Sequence, residues 1–550
     1  GNRRMKAGWR DIWRLSVLLP ALVLALPVLV IFASAFNPQP EVWQHLRQTV
    51  LADYVINSLL LAGGTGFGAL LLGTASAWII TQYQFAGRRV LEWLLLLPLA
   101  MPAYIIAYTY TGMLDFAGPV QTALRVQFDW RYGDYWFPQI RSLSGAIIML
   151  SLVLYPYVYM LARSAFREQS ASLFEASRTL GLTPRQHFWK VALPLARPAI
   201  LTGTALAMME AFADYGTVQY FGVTTFTTGI FRTWFGMGNQ VAAAQLAAML
   251  TGFVLLLLLL ERWSRRKIRY YHQGQRSNAA PRRQIGAGRQ LLLLLLCLLP
   301  VLFGFVIPAA QLVSWALSNY QQTLTPQFGQ LVWNSFSLAA MAAVISVLLA
   351  LLFAYGKRLR ADVLVQAPVR VAALGYAVPG TVIAIGVMLP LAYLDGRIDL
   401  LAEQWFGIRT GLIFSGTLFA LLLAYSVRFL AVSLHSVEAG LERIKPSMDN
   451  AARSLGYTPL QVLQKVHVPL LRSSVLAALL LVFVDVLKEL PATLILRPFN
   501  FNTLAVRTYE LASDERLADA ALPALAIVLV SLLPVILLAR SVDSSLKGKH

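Results

Sequence analysis

One cysteine, Cys297, stands in 550 residues. That excludes an intramolecular disulfide, and its place in an apolar run reads as a small buried side chain rather than a reactive thiol. No G-x-x-x-x-G-K-S/T loop occurs, so the chain has no Walker-type cradle for nucleotide phosphates. H-E-x-x-H and C-x-x-C are also missing, and no spacing argues for a hydrolytic or redox centre. Charge is scarce: 13% of residues are charged against 57% hydrophobic, and mean hydropathy is +0.62. A soluble globule would have too little polar surface at that composition, so the solvent is a bilayer.

What is abundant is apolar sequence in lengths that cross a membrane as helix, about 20 residues each. Such stretches lie near 15–36, 55–80, 91–112, 143–162, 196–213 and 239–260, and again near 291–317, 332–354, 371–394, 411–434, 474–495 and 520–539. Twelve spans put both termini on one side. Loops rich in Lys and Arg resist translocation, and with cytoplasmic termini the cytoplasmic segments hold 35 of the 46 Lys and Arg residues. The expected topology is therefore N-in and C-in. The net charge of +20 is spread over these juxtamembrane segments as orientation demands, which argues against nucleic acid as a partner. Ala33-Ser34-Ala35 looks like a signal-peptidase site, but the preceding run is long for a signal core and further spans come after it, so an uncleaved first span is expected.

The chain repeats itself. Asn57-Ser58 opens the second span and Asn334-Ser335 the eighth, an offset of 277, and Pro102 and Pro379 keep that offset. A longer match lies at offset 275: Glu175-Ala176-Ser177-Arg178-Thr179-Leu180-Gly181-Leu182-Thr183-Pro184 answers Asn450-Ala451-Ala452-Arg453-Ser454-Leu455-Gly456-Tyr457-Thr458-Pro459. Both copies come after even numbers of intervening spans, so the halves share orientation and form a parallel repeat with the substrate path between them. The expected organisation is a first transmembrane half at 1–260, a basic Gly- and Pro-containing cytoplasmic linker at 261–290, and a second half at 291–550.

Each matched segment, near 163–197 and near 435–472, reads as helix, break and second short helix. Gly181 and Gly456 suit a left-handed helix end, and Thr183-Pro184 and Thr458-Pro459 an N-cap with a first-turn proline. Pro194 and Pro469 are expected to stop or kink that second helix before the next span. The product is a rigid helical elbow on the cytoplasmic side.

These elbows resemble the signature loop, or EAA motif, of binding-protein-dependent ABC importer permeases. The resemblance implies an all-α polytopic type I importer fold, and it implies that the short helix before the glycine seats in a groove on a separate ATPase subunit. Carried over residue by residue, it assigns ATPase coupling to Glu175, Ala176 and Gly181, and to Asn450, Ala451, Ala452 and Gly456. The second copy departs from the pattern with Asn450 in place of an acid and Asp449 beside it; the first has Ser177 for the second alanine. The alternative reading is an ordinary cytoplasmic helical hairpin, and two copies at matching topological positions weigh against it.

Acids inside spans are costly and therefore suggestive. Glu210 and Asp214 lie four apart near the outer end of span five, and Asp485 and Glu489 repeat them at offset 275. Carboxylates suit a hard cation; equally, Lys488 can neutralise one of them, or the acids can meet the aqueous boundary. Tyr104, Tyr108, Tyr110, Tyr155, Tyr157 and Tyr159 could supply further oxygens, although an aromatic belt explains them better. The segments around Asp214-Tyr215-Gly216-Thr217, Phe226 to Trp234 and Lys488-Glu489-Leu490-Pro491-Ala492-Thr493 are similar to those of fused ferric-iron importer permeases. That resemblance implies Fe3+ as transported substrate, no cofactor held by this chain, a periplasmic iron-binding protein and a homodimeric ATPase as partners, and the bacterial inner membrane as location. A thiamine or other small-solute ABC permease and an ion-coupled secondary carrier are the competing expectations; Gly87-Arg88-Arg89 faintly echoes a loop of such carriers.

Overall fold

The computed structural model describes residues 2–169, 171–266, 281–359 and 363–547. The 267–280 part of the linker therefore lies outside the described residues. Apolar helix dominates, as expected of a chain whose peptide groups must be satisfied internally in hydrocarbon. Among the described residues ten helices are long and apolar enough to cross a membrane, and twelve if two bent pairs each count as one span. All twelve expected spans find a helix in this set. The third and eleventh are the bent ones: Arg88–Ala100 with Ala103–Phe128 turns by 91°, and Pro459–Leu470 with Arg472–Lys488 by 77°. At the first bend Met101 and Pro102 are extended, and Pro102 supplies no N–H to bridge the gap.

By packing, the chain forms two compact units, each assembled from separated segments: 1–43, 230–251 and 324–507 in one, and 44–229, 252–323 and 508–550 in the other. Neither unit coincides with a sequence half, because the first span is counted with the second repeat and helix 287–323 with the first.

In the unit containing the first elbow, helices Leu51–Gln82, Leu143–Glu168 and Leu193–Ala213 pack on one another. Lipid tails are as apolar as leucine, so membrane helices associate through close packing at small residues. Gly73 shows why: a Cβ there would lie 2.7 Å from Val158 Cβ and 2.9 Å from the Tyr155 carbonyl oxygen. Gly203 approaches the same turn, with Val158 Cα at 2.7 Å. In the other unit, helices Pro326–Leu359, Leu418–Glu442 and Arg472–Lys488 form the corresponding trio, and Asn2–Ser34 packs on Gly380–Phe406 with Gly386 against the backbone of Pro27.

The repeated Asn-Ser pair has a defined task. Ser58 Oγ accepts the N–H of Phe226 at 3.0 Å, and Asn57 Nδ2 donates to the Thr224 carbonyl at 2.8 Å. In the other repeat Ser335 Oγ accepts the N–H of Leu504 at 2.7 Å, and Asn334 Nδ2 donates to the Asn502 carbonyl at 3.2 Å. Each pair thus caps the helix that comes after an interrupted span, Phe226–Phe231 in one case and Leu504–Ser513 in the other. The stretch between short helix and clamp is longer in the second copy, and it presents Phe499 93% exposed beside Asn500 at φ +63°.

Candidate coupling elbows and transport-path acids

The first elbow is built from helix Ala171–Thr179, a turn through Gly181, and a second helix beginning at Pro184; the second runs from Pro446–Ser454 through Gly456 to Pro459. Gly181 sits at φ +79° and Gly456 at φ +87°, in the left-handed region. Each helix is closed by a returning amide, Leu182 N–H to the Ser177 carbonyl at 3.1 Å and Tyr457 N–H to the Ala452 carbonyl at 3.2 Å, the bond that ends a Schellman motif. The next helix opens with a full capping box in both copies. Thr183 Oγ1 accepts the Gln186 N–H at 3.3 Å while Gln186 Oε1 accepts the Thr183 N–H at 3.1 Å, and Thr458 and Gln461 repeat the exchange at 3.3 and 3.0 Å.

One turn of π-helix comes next in each copy, Phe188–Ala192 and Leu463–His467. After it the two part company. Pro194 and Pro469 both fall in the first turn of the helix that follows, where a missing N–H is tolerated, and in the first copy the helix continues from Pro184 to Ala213. After Pro469 the chain bends by 77° at Leu471. The expected stop or kink therefore occurs only in the second copy.

The fixings beneath the elbows also differ. Ser177 and His187, both buried, are joined by a 2.8 Å bond between Oγ and Nδ1; at offset 275 the same two places hold Ala452 and Val462, also buried. A polar pair in one repeat is replaced by an apolar pair in the other. The second elbow is held from another side: Asp449 takes Arg358 Nε at 2.8 Å and Nη2 at 3.2 Å, and His467 Nε2 lies 2.7 Å from it. Burial raises the Asp449 carboxyl, but hydrogen bonds from Arg358 and then His467 outweigh that and hold it below its ordinary value. Phe174 occupies the place of Asp449 in the first copy and carries Arg283 of the linker over its ring, 4.9 Å from the centroid. Trp78, its ring tilted against Phe188 at 4.7 Å, and Tyr355, 5.3 Å from the His467 ring, anchor the elbows to their neighbouring helices.

With those fixings inward, the assigned coupling residues face outward. Glu175, Ala176 and Gly181 are exposed, as are Asn450, Ala451 and Gly456; Ala452 is buried. Beside them, Leu180 is 81% and Leu455 78% exposed, at matching positions. Each elbow thus carries an uncovered leucine next to its glycine.

The span acids divide into two kinds. Asp214 Oδ2 accepts the Val218 N–H at 3.1 Å, capping the short helix Gly216–Phe221, and its carbonyl accepts Thr227 Oγ1 at 2.6 Å. Glu489 Oε1 accepts the Ala492 N–H at 2.9 Å, and its Oε2 takes the Thr493 N–H at 3.1 Å and Oγ1 at 2.7 Å, capping Pro491–Leu496. Both acids therefore have a task in the fold, satisfying the amides that an interrupted span exposes. Glu210 is half-buried, and Asp485 lies 3.9 Å from Lys488. Within each unit, among the described residues, no three His, Cys, Asp or Glu side chains converge as a metal-holding set.

The sequence matches the profile of the family described as "Binding-protein-dependent transport system inner membrane component" over residues 69–270 and again over 348–548. The chain belongs to that family. This permease is 26% identical over 532 residues to the Fe(3+)-transport system permease protein FbpB 2 of Haemophilus influenzae, covering 96% of this chain and 97% of that one. It is 24% identical to the ferric transport system permease protein FbpB of Actinobacillus pleuropneumoniae, over 87% of this chain and 70% of that one. A partial relative is the sulfate transport system permease protein CysT of Salmonella typhimurium, 29% identical over 40% of this chain and 76% of its own length. The permease is thus an all-α, multi-pass inner-membrane protein with two family repeats, and its resemblance to fused ferric permeases holds along the chain.

Sequence reasoning passes over one constellation. Arg88, Glu92 and Arg163 form a buried ion network, with Arg88–Glu92 at 3.2 Å and Arg163–Glu92 at 2.9 Å. Tyr159 Oη donates to the Glu92 carbonyl at 2.6 Å. The signal is present in the chain, since Glu92 is an acid inside an expected span; its partners read there only as topogenic charges.

Proposed function

We propose that this permease moves ferric iron from a periplasmic iron-binding protein to the cytoplasm, driven by ATP hydrolysed on a separate, homodimeric ATPase subunit. The observation that carries the substrate is similarity to ferric permeases over nearly the whole chain, where the sulfate relative matches 40% of it. What supports the coupling is the pair of elbows, each with an exposed leucine and a left-handed glycine at one offset, buried fixings beneath and solvent in front. An ion-coupled carrier has no use for such a pair.

In this reading the ATPases seat on Glu175, Ala176 and Gly181 at one elbow and on Asn450, Ala451, Ala452 and Gly456 at the other. Their approach on binding ATP pushes the elbows, opens the outer mouth to the docked binding protein, and hydrolysis resets the pathway. Both termini and the 261–290 linker between the halves lie in the cytoplasm. Of the acids, Glu210 and Asp485 meet the cation in transit, while Asp214 and Glu489 shape the interrupted spans and lend negative charge. Carboxylate oxygens are hard ligands suited to a small, highly charged cation.

The test is reconstitution of the permease with its ATPase and binding protein in vesicles, comparing uptake of radioactive iron and thiamine. ATP-dependent iron uptake that disappears without the ATPase supports the proposal. Thiamine uptake in preference to iron overturns the substrate, and proton-driven uptake without any ATPase overturns the mechanism.

A further inference from the structure

The Glu92 network carries more positive charge than its one carboxylate can serve. Oε2 takes Arg88 and Oε1 takes Arg163, while Arg167 stands 3.9 Å from Oε1, beyond hydrogen-bonding range. Arg88 and Arg163 are 6% and 7% exposed, and the Nε of each is buried without a partner. The linker adds a further cation: Arg283-Gln284 pairs in parallel with Tyr83-Gln84, and Arg282 Nε donates to the Ile80 carbonyl at 3.4 Å. Burial, then Arg88, hold the Arg282 guanidinium below its ordinary value, with Arg167 and Arg89 adding to the effect and Glu92 opposing it. Three guanidinium groups therefore lie within 4 Å of one acid, and the Arg282 segment, paired to the strand just before Arg88 and Arg89, adds to the positive charge there. Buried charge in excess of its counter-charge is unfavourable, and the two unpartnered Nε groups, with Arg167 beyond hydrogen-bonding range of Glu92 beside them, call for an anion from outside the chain.

The surroundings indicate which. In helix Arg88–Leu94, Arg88, Leu91 and Glu92 are buried, while Arg89, Val90 and Trp93 are exposed, Val90 at 52% and Trp93 at 39%. Exposed arginine, aliphatic residue and tryptophan on one short face is the composition of a membrane interface. A free anion has no need of Val90 and Trp93; a lipid has. The cluster is also peculiar to one repeat, since at offset 275 Arg163 is answered by Glu438, which lies 4.0 Å from Lys357. A contact serving two equivalent ATPases would be duplicated.

We propose that Arg89, Arg167 and Arg282, backed by the buried Arg88–Glu92–Arg163 network, bind the phosphate of an anionic phospholipid of the cytoplasmic leaflet and so fasten the inter-repeat linker to the membrane. The site is independent of the substrate assigned above. Basic pockets between helices on the cytoplasmic side are suited to such headgroups.

The full-length chain in mild detergent would be titrated with phosphatidylglycerol, phosphatidylcholine or inorganic phosphate, and bound molecules counted by native mass spectrometry. Each cation near an anionic headgroup is worth about a factor of five, so R89Q/R167Q/R282Q should bind phosphatidylglycerol about 100-fold more weakly, and R282Q alone about 5-fold. The control K357Q/R370Q, exposed cytoplasmic cations of the other unit, should bind as wild type. R282Q leaves the buried network intact and serves if the triple variant does not fold. Equal binding by wild type and both variants overturns the site, as does equal loss in the control. Full competition by inorganic phosphate, with phosphatidylcholine as good as phosphatidylglycerol, makes it a soluble-anion site and overturns the lipid. Unchanged lipid binding with loss of ATPase association reassigns the cluster to docking and also overturns the proposal.

Discussion

Replacing Asp449 with alanine removes the centre of the second elbow's brace and leaves the first elbow as an internal reference. Asp449 accepts two bonds from Arg358 and one contact from His467. Arg358 keeps other partners, the Leu441 carbonyl at 2.7 Å and the Ile444 carbonyl at 2.8 Å. His467 does not: its side chain is 1% exposed and its Nδ1 is already without a partner. A net hydrogen bond to a charged group is worth roughly 1.5–3 kcal/mol when buried. Because Arg358 is partly compensated and Asp449 is 18% exposed, we expect a local loss of about 2–3 kcal/mol, not the sum of three bonds. Amide hydrogen exchange reads this directly: opening of 446–467 should rise about 30- to 150-fold, with exchange over 171–187 unchanged. Acid should mimic the substitution. A carboxyl held below its ordinary value stabilises the fold fully above the unfolded value of about 3.9 and ceases to do so as pH falls through the folded one. The Asp449 contribution to protection should therefore be complete above about pH 4.5, begin to decline near the unfolded value of about 3.9, and be gone only once pH has passed below the folded value. Exchange within twofold of wild type in Asp449→Ala, or a rise shared equally by both elbows, would refute the brace.

The same geometry sets four further outcomes. Ser177→Ala strands the buried His187 Nδ1 and should lower stability by about 1–2 kcal/mol, whereas Ser177→Ala/His187→Val adopts the other repeat's apolar solution and should recover most of it; thermal unfolding of the purified chain compares them. Gly181→Val and Gly456→Val meet open space but force a branched residue into the left-handed region at about 1–2 kcal/mol each, so the double variant should hydrolyse ATP with its partner subunit yet import little, and normal import would contradict the elbow assignment. Glu489→Ala deprives Ala492 and Thr493 of their cap and should cost about 2–4 kcal/mol, seen as reduced folded yield, with Glu489→Gln milder. Glu210→Gln/Asp485→Asn should spare assembly and depress iron uptake at least tenfold; unimpaired uptake would leave these acids without a transport role.

Much of this was legible in the chain. Spans could be located because apolar runs of sufficient length have few other uses, and the elbows because Gly181-x-Thr183-Pro184 and Gly456-x-Thr458-Pro459 carry helix-end and helix-start chemistry in fixed order. The bend in the third span was not legible: a hydropathy window does not register an extended pair at Met101 and Pro102 within an otherwise continuous apolar stretch. Pro194 and Pro469 look alike in sequence, and both sit in a first turn, yet one lies in an unbroken helix and the other before a sharp turn. Nor could pattern reveal that Ser177 and His187 meet, or that Asp214 and Glu489 are capping residues. Those depend on which backbone amides an interrupted span leaves bare, and that is settled only when the helices assemble.

A rod interrupted inside hydrocarbon cannot transmit a push along its own axis. The hydroxyls of Ser58 and Ser335 restore continuity sideways, each taking the first amide beyond an interruption. If the elbows move as proposed, one hydroxyl per repeat is what ties the helix bearing the Asn-Ser pair to the segment beyond the interruption, and the two travel together only while that bond holds.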